Sequence, residues 1–201
     1  MVRTRAKDHD DKRLNILRVA AAVFAREGIA RASINEVAKA CGISKANIYH
    51  YYDSKNDLVF DILDTYLAQL RDWICGTDLS GQTAPERLHT LTREFLIAYE
   101  GMDNEHKIQS EGLLLLEPEK QEVLKGYQRE LVNVVSDTLQ ACAPEELASD
   151  KTKSRDITMS VFGMLNWFYM WNPGATKEQR IAYAATVADL TLNGVRESAM
   201  T

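Results

Sequence analysis

The chain has 201 residues, 45% of them hydrophobic and 26% charged, with a formal net charge of −5. That balance excludes collagen-like and disordered chains and leaves enough apolar material for one large domain or two small ones. No positively charged leader with an apolar core opens it, and Cys41, Cys75 and Cys142 lie far apart without CxxC spacing, so a cytoplasmic protein with reduced thiols is expected.

Residues 1–9 contain Arg3, Arg5 and Lys7 without apolar periodicity, and read either as a frayed terminus or as a basic arm for phosphate or minor-groove contact. Over 10–27, Leu14, Leu17, Ala21, Phe24 and Ala25 form one apolar stripe, and Gly28 ends the predicted helix. Ser33 stands as an N-cap with Glu36 three residues on, a capping box, and Ile34, Val37, Ala38 and Cys41 repeat on one helix face. Gly42 supplies a sharp reversal and Ser44 restarts a helix over 45–52, in which only Ile48 and Tyr52 are placed for burial. Two short helices across so tight a turn predict a helix-turn-helix, with Lys45, Asn47, Tyr49, His50 and Tyr51 facing outward.

Ser54 caps a longer helix to about residue 75, with Leu58, Ile62, Tyr66, Leu70 and Ile74 on its stripe. The polar loop 76–85 follows, then predicted helices over 86–100, 105–116 and 118–142, a polar stretch over 144–153, and two last helices over 154–171 and 176–196. No alternating strand pattern occurs, so the predicted class is all-α. The uncharged run between Asp156 and Lys177 is interrupted by Asn166, Asn172, Pro173 and Gly174, too short and too punctuated for a membrane span. Its large apolar residues, from Ile157 to Trp171, exceed what one monomer has to bury. With Val187, Leu190, Leu192 and Val195 on the last helix, part of that surface is expected to meet a second copy in a two-fold four-helix interface, and part to line a cavity.

The charge is unevenly placed. Residues 1–55 carry eleven Lys or Arg against six Asp or Glu, whereas residues 56–201 carry thirteen against twenty-three. Cations neutralise phosphates locally, so the basic segment that holds the helix-turn-helix is the part suited to DNA. The four histidines, His9, His50, His89 and His106, make no paired metal spacing, and no HExxH, GxSxG, P-loop or GxGxxG is present. Neither catalysis, a metal nor another cofactor is expected.

The run Phe24-Ala25-Arg26-Glu27-Gly28, then Ala38, Cys41-Gly42-Ile43-Ser44, Ile48-Tyr49-His50-Tyr51-Tyr52, Ser54-Lys55 and Leu58 resembles the N-terminal domain of the TetR family of bacterial repressors over residues 10–62. The resemblance implies a TetR-like all-α fold. Residues 1–55 would be a three-helix DNA-binding head, and residues 56–201 a helical effector-binding and dimerisation domain paired through the last two helices. Ser33 and Ser44, at helix N-termini, suit phosphates. Lys45 and Asn47 are placed for guanine and adenine edges. Tyr51 suits phosphate or a thymine methyl. From the resemblance, Tyr49 and His50 bind the DNA backbone and Lys55 is a phosphate-binding lysine, while Tyr52 takes a position usually held by a buried Phe.

In the acidic remainder, Tyr66, Phe95, Tyr99, Met102, Tyr127, Met164, Trp167, Phe168 and Met170 are candidate walls of an effector cavity, with Gln109, Glu111 and Asn166 as polar groups to orient a ligand. The segments 103–107, 113–118 and 162–167, with Trp171, resemble TetR regulators of aromatic and fatty-acid catabolism, and most of all the phenylacetate-pathway repressors of the PaaR type. That resemblance implies phenylacetyl-CoA or another acyl-CoA as effector. The expected protein is a homodimeric repressor released from its operator by a small molecule. The alternative is a constitutive or architectural DNA binder whose aromatic helix is solid core.

Overall fold

The computed structural model describes the backbone of residues 2–143, 147 and 149–198, and the side chains of those between 9 and 194. Residues 144–146 and 148 of the predicted polar stretch, and the side chains of Arg3, Arg5, Lys7 and Val195, lie outside the described residues. Among the described residues there are nine helices and no strand: α1 Val2–Glu27, α2 Ile34–Cys41, α3 Lys45–Tyr49, α4 Lys55–Cys75, α5 Ala84–Ala98, α6 Asp103–Leu114, α7 Pro118–Cys142, α8 Lys151–Trp171 and α9 Lys177–Ser198. None of them is long and apolar enough to cross a membrane.

Three elements differ from the sequence expectation by three residues or more at one end: α1, α3 and α8, the last beginning at Lys151 rather than at residue 154 because the Asp150 side chain accepts from the Thr152 and Lys153 amides. Helix α1 begins at Val2 rather than at residue 10. Residues 3–8 hold Arg, Ala and Lys with no Gly or Pro, so the ladder continues although no apolar stripe requires it. Helix α3 stops at Tyr49 rather than at residue 52. There the Ile48 carbonyl accepts from both the Tyr51 and the Tyr52 amides, at 2.9 and 3.0 Å, tightening the chain before Ser54 opens α4.

The chain forms two compact units, one of Met1–Leu67 with Met102–Lys125, the other of Ala68–Gly101 with Gly126–Thr201. Helices α4 and α7 each contribute residues to both. In the first unit α1 packs on α2 and α6 over a core of Phe24, Ile29, Val37, Ile48, Leu58, Ile62 and Leu63. Gly112 lets α6 seat closely, since a Cβ there would come within 2.8 Å of Leu63 Cδ1 and 3.2 Å of Val59 Cγ1. The Arg13 guanidinium pairs with the Asp61 carboxylate, donating from Nε at 2.8 Å, and the Tyr52 hydroxyl donates to the same carboxylate at 2.7 Å. This bridge ties α1, the end of the helix-turn-helix and α4 together, and it holds the Arg13 pKa above its ordinary value. Asp57 pairs with Lys120 of α7, which keeps the Asp57 carboxyl below the usual carboxylate range, helped by Ser54.

In the second unit α5 lies along α9 and also meets α8. The Thr92 hydroxyl donates to the Ala184 carbonyl at 3.1 Å, and Arg180 Nη1 donates to the Leu96 carbonyl at 3.3 Å. Phe95 meets Phe162 edge to face at 5.4 Å, and Phe168 stacks on Tyr183 at 4.8 Å. These aromatic contacts are direct, so the cores of α5, α8 and α9 are packed at these positions.

Candidate nucleic-acid interface

The reading head is built from local rules. Ser33, in extended conformation, accepts from the Glu36 amide, and the Glu36 carboxylate accepts from the Ser33 amide at 2.7 Å. These bonds hold the Glu36 carboxyl below its ordinary pKa. Gly42 has φ +68°, a left-handed conformation that other residues seldom adopt, and the Ile43 amide then reaches back to the Ala38 carbonyl at 3.0 Å. Ser44 Oγ accepts from the Asn47 amide at 3.2 Å to start α3.

One buried side chain orients the short helix. Ile48 is fully buried, and Tyr52 behind it is buried too, its phenol pKa raised by burial and then by its bond to Asp61. Ser33, Ser44, Lys45, Asn47, Tyr49 and His50 are all exposed, and Tyr51 is half-buried. The Lys45 ammonium sits 5.5 Å from the centre of the Tyr49 ring, a cation–π contact on the outer face.

Lys55 is placed differently from a free surface cation. Its ammonium donates to the carbonyls of Ile29, Ala30 and Ala32 at 2.7, 3.3 and 3.1 Å, closing the turn that precedes Ser33. All three of its protons are thereby engaged with backbone oxygens.

A groove of about 400 Å³ separates α3 from the outer face of α1, lined by Asp11, Lys12, Asn15, Ile16, Ile43, Asn47, His50 and Tyr51. The polar α1 residues in it, Asp11, Lys12 and Asn15, carried no mark in the sequence, because polar residues at helical spacing look alike whether they face water or a ligand.

The twelve predicted effector residues fall in both units. In the first, Tyr66 is buried with its hydroxyl 3.0 Å from His106 Nδ1, Met102 and Gln109 are half-buried, and Glu111 is exposed and accepts from the Ala30 amide at 3.3 Å. Glu105, which carried no signal beyond an ordinary acidic helix start, is buried. Its Oε2 has no hydrogen-bond partner among the described residues, and burial, with the Asp103 charge, pushes its carboxyl pKa up. In the second unit Phe95 and Phe168 are fully buried, and the Tyr99 hydroxyl donates to Asn166 Oδ1 at 2.8 Å. Tyr127 lies under the Arg71 guanidinium at 5.0 Å and Met164 is half-buried. Trp167 and Met170 stand on the surface, 61% and 50% exposed, because they lie on the face of α8 opposite Phe162, Leu165 and Phe168. An open groove of about 560 Å³ between α8 and α9 is lined by Ile157, Ser160, Met164, Leu190, Thr191 and Gly194, with Asp150, Thr152, Lys153 and Asp156 at one end. Of the twelve, Met164 alone lines it.

Two family models match this chain. Residues 16–62 match the bacterial regulatory proteins of the tetR family, and residues 81–195 match the tetracyclin repressor-like C-terminal domain. Among curated proteins, the HTH-type transcriptional repressor KstR2 of Mycolicibacterium smegmatis is 29% identical over 96 residues, which are 47% of this chain and 45% of that protein. The chain thus spans about half the length of the curated relatives it matches. Among solved structures, a TetR-family transcriptional regulator from Bordetella parapertussis is 33% identical with a TM-score of 0.82, covering 90% of this chain and 93% of that one. AibR in complex with isovaleryl coenzyme A and operator DNA has the same fold, with a TM-score of 0.71 at 21% identity over 90% of this chain and 96% of that one. Matched at both ends and across nearly its whole length, the chain belongs to the TetR family of bacterial regulatory proteins.

Proposed function

We propose that this protein is a cytoplasmic, non-enzymatic, homodimeric repressor that binds an operator through residues 1–55 and is released when residues 56–201 bind a small effector. The observation that carries the reading is α3 itself: buried Ile48 fixes a five-residue helix whose other side chains, Lys45, Asn47 and Tyr49, are exposed within a basic segment. In this reading Asn47 and Lys45 reach base edges in the major groove, Tyr49 and His50 contact the backbone, and Tyr51 meets a phosphate or a thymine methyl. Ser33 and Ser44 offer hydroxyl and amide groups to phosphates, and Lys55 acts by holding the turn at Ile29–Ala32 and by its charge.

Two copies are needed to set two recognition helices roughly 34–36 Å apart, one turn of duplex. The dimer reading is supported by Met159, Trp167, Met170, Trp171, Ile181 and Leu190, all exposed on α8 and α9. A run of large apolar groups in water marks a protein contact surface.

For the effector, we carry over an acyl-CoA, because AibR, whose fold this chain shares, was solved with isovaleryl coenzyme A and operator DNA. Phenylacetyl-CoA is the member of that class implied by the resemblance to phenylacetate-pathway repressors. The effector acts by its differential affinity for one spacing of the two heads. The competing reading, a constitutive binder, rests on the direct packing of Phe95, Phe162 and Tyr99. Sequences selected from random DNA by the dimer, with and without phenylacetyl-CoA, free phenylacetate and a long-chain acyl-CoA, test both. An inverted repeat released by one of the three supports the regulated dimer. Retention in all three supports constitutive binding, and recovery of no sequence removes the DNA reading.

A further inference from the structure

We propose that His9 of α1 holds the Tyr51 ring in its DNA-facing position, which makes α1 part of the reading surface; the inference rests on the DNA-binding reading above. Tyr51 lies beyond the last residue of α3, so helix geometry no longer fixes its side chain. Its ring meets His50 edge on at 5.8 Å and Tyr52 at 6.3 Å, both neighbours in the same turn. The His9 ring lies nearer, with centroids 4.7 Å apart and planes inclined by 30°, and comes from a different helix. The Tyr51 hydroxyl makes no hydrogen bond among the described residues, so it remains available as a donor.

The arrangement on α1 is paired. His9 and Arg13 stand one turn apart on one face, and they engage consecutive tyrosines. His9 lies tilted against Tyr51, while Arg13 pairs with Asp61, to which the Tyr52 hydroxyl donates. Tyr52 is buried and Tyr51 half-exposed, so the same face of α1 anchors one ring inward and aims the other outward. Tyr51 lines the groove between α1 and α3 together with Lys12 and Asn15. His9 is therefore a positioning residue that acts through Tyr51, and the ring, not the charge, is what it supplies.

The test uses the full-length dimer on an operator selected by the wild-type protein, with affinity read by fluorescence anisotropy and the fold checked by circular dichroism. His9→Ala is expected to weaken binding roughly three- to tenfold, the size of an aromatic pair. His9→Phe, which keeps the ring, is expected to stay within about twofold of wild type by the same measure. In a Tyr51→Ala background, His9→Ala is expected to cost nothing further, which a general loss of fold would not reproduce. Wild-type affinity in His9→Ala, weak binding in His9→Phe, rescue by His9→Lys, or additive losses in the double variant would each overturn it. If the wild-type protein selects no sequence, the DNA-binding reading fails instead.

Discussion

Helices α3 and α8 both show aromatic residues to water, and the chemistry around those residues separates them. On α3 the exposed groups have polar tips and a cation beside them, with Tyr49 under Lys45 and His50 following. On α8, Met159, Trp167, Met170 and Trp171 are exposed with no Lys or Arg between Arg155 and the helix end. The first surface suits a charged, hydrogen-bonding partner, and the second suits another apolar surface. Exposure of aromatic residues by itself says little; the neighbouring charge and the available donors say which partner fits.

That contrast can be broken most severely at the buried anchor of α3. Ile48→Ala should cost about 2–5 kcal/mol in urea unfolding and lose DNA binding with it, whereas Tyr49→Ala should leave stability within about 0.5 kcal/mol. If both variants lose equal stability, α3 is not held by one side chain. On the α8 and α9 side, Trp167→Glu with Leu190→Glu should weaken self-association by about 2 kcal/mol or more, seen as a monomer by sedimentation. Unchanged mass in the variant would remove this surface from the dimer reading, and a wild-type mass equal to one chain would remove that reading itself.

Within the reading surface, Asn47→Ala should cost about 1–3 kcal/mol on the preferred operator and relax base preference at one position. Tyr49→Ala should weaken preferred and scrambled DNA alike. Gel shifts in which the two variants behave identically would erase the distinction between base and backbone contacts.

The smallest expected effect concerns a buried carboxyl of the first unit. Burial holds the Glu105 carboxyl above the ordinary glutamate pKa, so the folded state retains a proton that the unfolded chain releases. Stability contributed in this way is complete below the ordinary glutamate range and is lost as pH rises through the raised folded value. Glu105→Gln, which cannot ionise, should therefore raise the Tm at neutral pH. The advantage should vanish in acid; an equal gain at every pH would point to packing instead.

Much of this architecture is local and was legible. The capping box at Ser33 and Glu36, the reversal at Gly42, the restart at Ser44 and the burial of Ile48 and Tyr52 against outward Lys45, Asn47 and Tyr49 all follow from residues within four positions of one another. The all-α class follows from the same periodicity. Tertiary structure alone decided what depends on distant partners. Lys55 spends its donors on carbonyls 23 to 26 residues earlier, and Arg13 meets Asp61 across 48 residues. His9 finds Tyr51, and Gly112 admits α6 against Leu63. The aromatic run of α8 shows the same division: its composition announced an excess of apolar surface, but only the packing against α5 and α9 set Phe168 inside and left Trp167 out. Helix periodicity says which residues share a face, and what that face meets is settled only when the other helices arrive.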